Sequence, residues 1–566
     1  MVGYSKLMGV DETGTLAGLR GHRAEVIDAL IQDHGGRIVK PMGDGLLLEF
    51  ASMVDATQCM IEIQQGIAAR NDGIVVSRRI VFRVGVNLGD IIIDGEDILG
   101  DGVNIAARLQ EIAEPGGVAI SARVHEDIRD RLDTAFTDGG AQTLKNVARP
   151  LQVWHWPPND ERPNKIPEPV EHDKPSIAVL CFDNMSSDSD HEFFADGMAE
   201  DIITALSKIS RMRVIARNST FAYKGQAIDL RKVASELGVR YVLEGSIRSG
   251  GNRLRITAQL IDATDGSHVR AERFDRTIDD IFDIQDQITK EIVTALRVNL
   301  TDGEEEAVLA RGTNNIEAWQ LCVRATELFM RFNSSDYLDA RALAEKAIAR
   351  DSNFTYAWAT LGFTYWWDGR LGNTADSETK FRRAYECAER ALGIDASVSW
   401  ALGLATMIAG AQDRYAEGVE LAQRGCELSP GSADSRAFLA FALSYAGDYP
   451  EAEDNFRAAM LLNPIHPNWY RNGLARTIMM QGKFDDALSI MDEILDIEPT
   501  FFQAWLQIAA ILHQLGRYDD AEYAVREVMR IAPNLRLSSI SGLYLINDKA
   551  GLVRFKDALR QAGLPG

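Results

Sequence analysis

Hydrophobic and polar positions follow three successive patterns along the chain. In the first 156 residues or so, short apolar runs are broken by glycine. Gly36-Arg-Ile-Val-Lys40-Pro-Met-Gly-Asp44-Gly-Leu-Leu-Leu-Glu-Phe50 predicts strand, tight glycine turn and strand, with a carboxylate at the turn. Residues 81–93 predict two strands around a Gly-Asp turn. Residues 103–112 have the period of an amphipathic helix, with Asn104 and Arg108 four apart on one face. Residues 157–175 carry proline and charge with almost nothing to bury, which predicts a semi-extended linker. A second pattern follows: a buried strand at 176–182, a helix at 194–206, a strand at 212–216, a helix at 230–237, and alternating strands at 241–248 and 253–261. Ser249-Gly-Gly-Asn252 joins the last two as a hairpin. That order predicts an α/β layer domain over residues 176–300. Asp196 and Asp201 on the first of these helices read as a solvated face rather than a carboxylate pair.

From about residue 315 the chain repeats. Prolines 430, 464, 499 and 533 recur about every 34 residues. Gly447-Asp-Tyr449, Gly482-Lys-Phe484 and Gly516-Arg-Tyr518 hold one register, and Ala452, Ala487 and Ala521 supply a small residue where two helices would approach. Period and punctuation resemble tetratricopeptide (TPR) repeats, and Trp358-Ala-Thr-Leu-Gly-Phe-Thr-Tyr365 matches the first-helix signature. About six repeats are expected over 315–566, with an insertion near 368–378, forming an all-α solenoid with a concave face. The tryptophans here read as packing residues. Trp366 and Trp367 stand apart, because two adjacent helical residues cannot both face one core.

Length and composition set bounds. At 566 residues the chain exceeds one hydrophobic core, and about three or four domains are expected. A net charge of −23 argues against nucleic acid or an anionic membrane as the main partner. Five scattered cysteines form neither a disulfide framework nor a zinc motif, which fits a reducing, cytoplasmic setting. No apolar run reaches the ~20 residues needed to cross a bilayer.

The stretches 36–50, 81–93 and Asp97-Ile-Leu-Gly-Asp-Gly-Val-Asn104-Ile-Ala-Ala-Arg108 occur in the order of a class III nucleotide cyclase catalytic domain, and residues 1–156 resemble that family. The resemblance implies an α+β domain with a ferredoxin-like core that converts ATP to cyclic AMP and pyrophosphate. Residues 176–300 resemble the α/β domain of TolB-like proteins, which implies no chemistry. The whole chain is thus expected to be multidomain: cyclase domain, TolB-like α/β domain and TPR solenoid.

The cyclase resemblance assigns roles. Asp44 would hold two divalent ions, Mg²⁺ or Mn²⁺, about 4 Å apart. Lys40 and Asp97 match the purine-selecting pair. Asp97 would accept from the adenine amine, where guanine offers a second acceptor, so the pair argues for ATP. Asn104 would orient the ribose, and Arg108 would stabilise charge on the α-phosphate. Lys145 matches a contact to the terminal phosphates. Plainer readings exist: a turn Asp at 44, a solvent-exposed strand end at Lys40, a loop residue at Asp97, and a surface ion pair of Arg108 with Asp101 or Glu111. Asp101 itself reads as a helix N-cap. In this family the metal carboxylates and the purine residues come from opposite protomers, so a homodimer is expected, with an unidentified protein partner for the repeats. The resemblance also places a metal-binding Asp one position before Met1. It therefore implies either a start further upstream or a cyclase-like dimerisation and scaffold protein with impaired catalysis.

Overall fold

The computed structural model of the protein describes residues 1, 4, 8, 12–42, 45–71, 79–89, 91–94, 97–129, 131–142, 151–157, 174–186, 190–226, 229–250, 253–310, 312–331, 335–371 and 377–566. They fall into two compact units, Met1–Lys165 and Ile166–Gly566.

In the first unit, a helix over Glu12–His22 continues through a π-helical turn, Arg23–Ile27, into Asp28–Asp33. Strand β1 (Arg37–Met42) pairs antiparallel with β2 (Gly45–Glu49), Met42 opposite Gly45. The Met53–Asn71 helix packs Cys59, Ile63 and Ile67 with Ile27 and Ile31 against the sheet residues Val118 and Ile120. Strands β3 (Val84–Val86), β6 (Val118–Ser121), β7 (Thr137–Gln142) and β8 (Leu151–Trp156) form one sheet, ordered β3-β6-β8-β7. β3 runs parallel to β6, and the other pairs are antiparallel. The two strands expected across 81–93 do form, but in different sheets. β4 (Ile92–Asp94) leaves β3 and pairs with β5 (Asp97–Leu99). Gln64 fastens its helix to the sheet by donating to the carbonyls of Phe82 (3.0 Å) and Gly117 (2.8 Å).

In the second unit, β9 (Ser176–Val179), β10 (Asp183–Asn184), β11 (Arg213–Val214), β12 (Tyr241–Gly250), β13 (Arg253–Asp262) and β14 (Ser267–Thr277) make a sheet ordered β11-β9-β12-β13-β14, with β10 also paired to β12. The Asp190–Ser207 and Ile281–Ala295 helices share one apolar core with this sheet, and the Leu230–Leu237 helix shares another, giving α/β layers. The sequence reading reached β12 and β13 but not β14, whose positions are exposed and charged except around Phe274.

Asp196 and Asp201 are not on a solvated face, which corrects the expectation. Asp196 is 2% exposed and pairs with Lys224 at 2.6 Å. Asp201 accepts from Gln285 Nε2 at 2.9 Å and from Trp319 Nε1 at 2.8 Å. The apolar period of the helix is intact, but its polar side is covered by elements much later in the chain.

Six helix pairs follow, from Ile316–Met330 with Asp336–Arg350 to Phe502–Gln514 with Tyr518–Ile531, and a last helix covers Lys549–Gln561. Ala452, Ala487 and Ala521 are fully buried. Gly447 ends its helix at φ 101°, left-handed backbone that an L side chain would strain. The array is joined to the α/β domain. Trp319 and Val323 of the first repeat lie in the α/β core, Ser219 Oγ donates to Asn463 Oδ1 at 2.6 Å, and Gly431 N donates to Ser207 O at 2.8 Å. All five cysteines are free. Among the described residues no helix is long and apolar enough to cross a membrane.

Candidate active site

The backbone between β5 and the Asp101–Ile112 helix is set by glycine. Gly100 is the N-cap at φ 140°, where an L residue is strained. Asp101, expected as the N-cap, is instead the exposed first residue of the helix, because the bend falls one residue earlier. Asn87 Nδ2 donates to Gly102 O at 3.2 Å, and a Cβ on Gly89 would meet Gly102 Cα at 2.8 Å. The loop after β3 therefore holds the start of the helix.

The inner face of this helix is apolar. Ile105, Leu109, Ile112 and Ala113 pack with Ala119 of β6 and Val153 of β8. Asn104 and Arg108 follow from that anchoring, since four residues apart they ride together on the outer side. Asn104 is exposed. Arg108 is half-buried and ion-paired with Glu111, whose hydrogen bond and charge raise its pKa above the ordinary value. The plainer reading of Arg108 is thus realised with Glu111, in an exposed i,i+3 pair of the kind that contributes little to stability.

Lys40 lies on β1 opposite Leu47, just past an irregularity between Ile38 and Lys40. β1 contacts β5, the strand that begins at Asp97, although the two belong to separate two-stranded sheets. Of Asp97 only the backbone is described, and Asp44 and Lys145 lie outside the described residues. Among the described residues no group of three or more His, Cys, Asp or Glu could hold a metal ion.

Sequence reasoning missed the residues that set the height of this helix. A Cβ on Gly85 would sit 2.2 Å from Ala106 O and 2.4 Å from Gln110 N, so the helix backbone rests directly on β3. The signal was Gly85 inside the first strand of residues 81–93, where only the Gly89-Asp90 pair was read, as a turn.

Residues 15–155 match the family model of the adenylate and guanylate cyclase catalytic domain. Residues 172–291 match the second domain of HilA/YgeH-like transcriptional regulators, and 439–500 and 479–540 match tetratricopeptide repeats. The chain is 48% identical over 407 residues to "Putative adenylate cyclase 3" of Rhizobium meliloti (strain 1021), covering 70% of this chain and 68% of that protein. Among solved structures, an adenylate/guanylate cyclase/hydrolase from Silicibacter pomeroyi is 44% identical over 28% of this chain and 92% of its own, with a TM-score of 0.26. The adenylyl cyclase CyaB from P. aeruginosa is 23% identical over 25% of this chain and 80% of its own, with a TM-score of 0.22. On the family model over its first unit and a relative matched across two thirds of that relative's length, the chain belongs to the adenylate and guanylate cyclase family.

Proposed function

We propose that residues 1–156 convert ATP to cyclic AMP and pyrophosphate at a site shared by two copies of the chain. The reading rests on one observation: β1, which carries Lys40, contacts β5, which begins at Asp97, and the next helix puts Asn104 and Arg108 one turn apart on its outer side.

In the reaction the ribose 3′-hydroxyl loses its proton and bonds to the α-phosphorus. The bond from that phosphorus to the β-phosphate oxygen breaks, and pyrophosphate leaves. Most of the acceleration comes from positioning and from stabilised charge. Lys40 and Asp97 read the adenine edge, and Asn104 fixes the ribose. Arg108 gives up its solvent-facing pair with Glu111 and takes the α-phosphate. Lys145 holds the terminal phosphates. Asp44, a hard oxygen donor between two glycines, has the chemistry to hold Mg²⁺ or Mn²⁺. Bound there, two such ions supply activation of the hydroxyl and neutralisation of the phosphates. The outer-side placement of Asn104 and Arg108 suits a site completed by a second protomer. Residues 176–300 are read as a TolB-like middle module. The repeats are read as the protein-binding or regulatory end of a cytoplasmic signalling chain.

The test is cyclic nucleotide formation by the purified chain with Mn²⁺ and either ATP or GTP. ATP turnover is expected to dominate. Asp44→Ala and Arg108→Ala variants are each expected to be inactive alone and to regain activity when mixed, because one site of the mixed dimer keeps both residues. No recovery in demonstrated mixed dimers would refute the shared site. Equal turnover of ATP and GTP would refute the base assignment.

A further inference from the structure

The second unit holds a cavity of about 290 Å³ inside the repeat array. Its walls include Trp367, Phe441, Tyr445 and Trp469, and three arginines, Arg331, Arg370 and Arg476, line it. Arg331 is exposed and ion-paired with Glu327 at 2.9 Å. Arg370 and Arg476 are buried, at 7% and 4% exposure, and neither makes an ion pair with any described residue. Arg370 donates one proton from Nη1 to the carbonyl of Gly542 and one from Nη2 to that of Leu543. Arg476 lies over the rings of Tyr445 (5.0 Å) and Phe441 (5.4 Å), while its Nε and Nη2 have no hydrogen-bond partner in the protein. Burial lowers the Arg370 pKa, and the neighbouring Arg476 lowers it further.

Such a pair is costly as a packing device. A buried guanidinium needs a counter-charge or a full set of acceptors. Ring faces attract the cation but leave its N–H groups unsatisfied. An aliphatic side chain would line the same wall at no such cost. The arrangement is what a site for an anion requires.

The cavity also limits the anion. Its volume lies near the lower bound of small-molecule sites, so the ligand is small. Aromatic walls call for an apolar, flat body. The unpartnered donors of Arg476, the pairing of Arg331 with Glu327, Glu498 in the lining and a chain net charge of −23 favour a single negative charge. A planar guanidinium fits a carboxylate best. The adjacent tryptophans divide accordingly. Trp366 is 1% exposed and packs against Phe381, while Trp367 lines the cavity.

We propose that this cavity binds a small aromatic monocarboxylate, its ring against the aromatic wall and its carboxylate on Arg476, with Arg370 adding positive field. This site is separate from the cyclase residues and does not rest on their assignment.

The test uses saturation-transfer NMR on the full chain, with 3-phenylpropanoate and its neutral amide as probes. The acid is expected to bind with a dissociation constant of about 1 mM, and the amide about tenfold more weakly or worse. Arg476→Met is expected to lose the acid signal while melting no lower than the parent, since it removes an unpaired buried charge. Trp367→Ala should weaken the acid without removing it. Four outcomes would overturn the proposal: no acid signal up to about 10 mM; equal binding of acid and amide; undiminished acid binding by Arg476→Met; or phenyl phosphate binding tighter than the acid. A lower melting temperature for Arg476→Met would also count against it, making the arginine a packing residue. The comparison of acid with amide on the parent chain needs no variant at all.

Discussion

Gly85→Ala is the smallest change that reaches the proposed active site without touching a residue that would contact substrate. The added methyl would lie 2.2 Å from Ala106 O, 2.4 Å from Gln110 N and 2.9 Å from Leu109 Cβ. Two of these are backbone atoms, so no side chain can swing aside. Ordinary carbon contacts need about 3.5 Å, and the helix must therefore retreat by about 1 Å or β3 must bend. Overpacking of this kind costs about 1–3 kcal/mol. For a unit of this size that lowers the melting temperature by roughly 3–10 °C. Asn104 and Arg108 ride on the displaced helix, and a misplacement of about 1 Å can slow positioned chemistry about a hundredfold. The assay is the initial rate of cyclic AMP formation together with thermal unfolding followed by fluorescence. Trp154 and Trp156 report on the β8 strand of the first unit. Gly303→Ala is the control, since a Cβ there meets nothing within 4 Å. A Gly85→Ala protein with parental rate and parental melting temperature would refute the claim that the helix rests directly on β3. A lowered melting temperature with parental rate would keep the packing argument and sever it from catalysis.

Asp44→Ala is expected to cut cyclic AMP formation about a hundredfold or more while leaving circular dichroism unchanged; a rate within about tenfold of the parent would remove Asp44 from the metal site. Lys40→Glu combined with Asp97→Cys should lower ATP turnover and raise the GTP to ATP ratio, and intact ATP preference in the double variant would show that these residues do not read the base. Asp201 is held with its pKa raised to about 7, first by burial and then by the neighbouring Glu200 charge, against 3.8 when unfolded. The folded state therefore binds the extra proton between those values, so this group's contribution to stability falls as pH rises from about 4 to about 7, by up to about 1.4 kcal/mol per pH unit. Asp201→Asn should flatten that slope and raise the melting temperature at pH 8 more than at pH 5; an equal effect at both would mean that Asp201 titrates normally.

The parts legible in the sequence were those whose physics is local. The last three repeats each carry a glycine in the inter-helix turn, Gly447, Gly482 and Gly516, and a buried alanine after it, Ala452, Ala487 and Ala521, and these recur because each pair repeats the same packing problem. The hairpin after β12 was readable from Gly250 and its neighbours, because a tight turn needs them within a few residues. The parts missed depend on partners far along the chain. Asp201 is covered by Gln285 and Trp319, 84 and 118 residues later. No local pattern separates a solvated Asp from one awaiting such partners. Strand β14 was missed because one of its faces is charged and only Phe274 is buried. At the candidate site, Asn104 and Arg108 were readable as a helix face, whereas the role of Gly85 becomes visible only when the helix lies on it. The ion pair of Arg108 with Glu111 was among the plain alternatives from the start, and it coexists with the catalytic reading because an exposed pair is readily exchanged for a phosphate.

The joined core of the second unit bears on what its repeats can do. A free repeat array can change pitch by small rotations spread over its pairs. Here the first repeat inserts Trp319 into the α/β core, and the fourth is tied down at both ends by Ser207 with Gly431 and by Ser219 with Asn463. The α/β domain therefore spans the array from its first pair to its fourth. A change of pitch over that span would have to break one of these contacts. The cavity at Arg476 lies partly on the same helices, since Phe441 and Tyr445 belong to the Ala433–Ala446 helix of the fourth repeat. Arg476 itself belongs to the next helix, Asn468–Met480, and touches the fourth repeat through the rings of Phe441 and Tyr445.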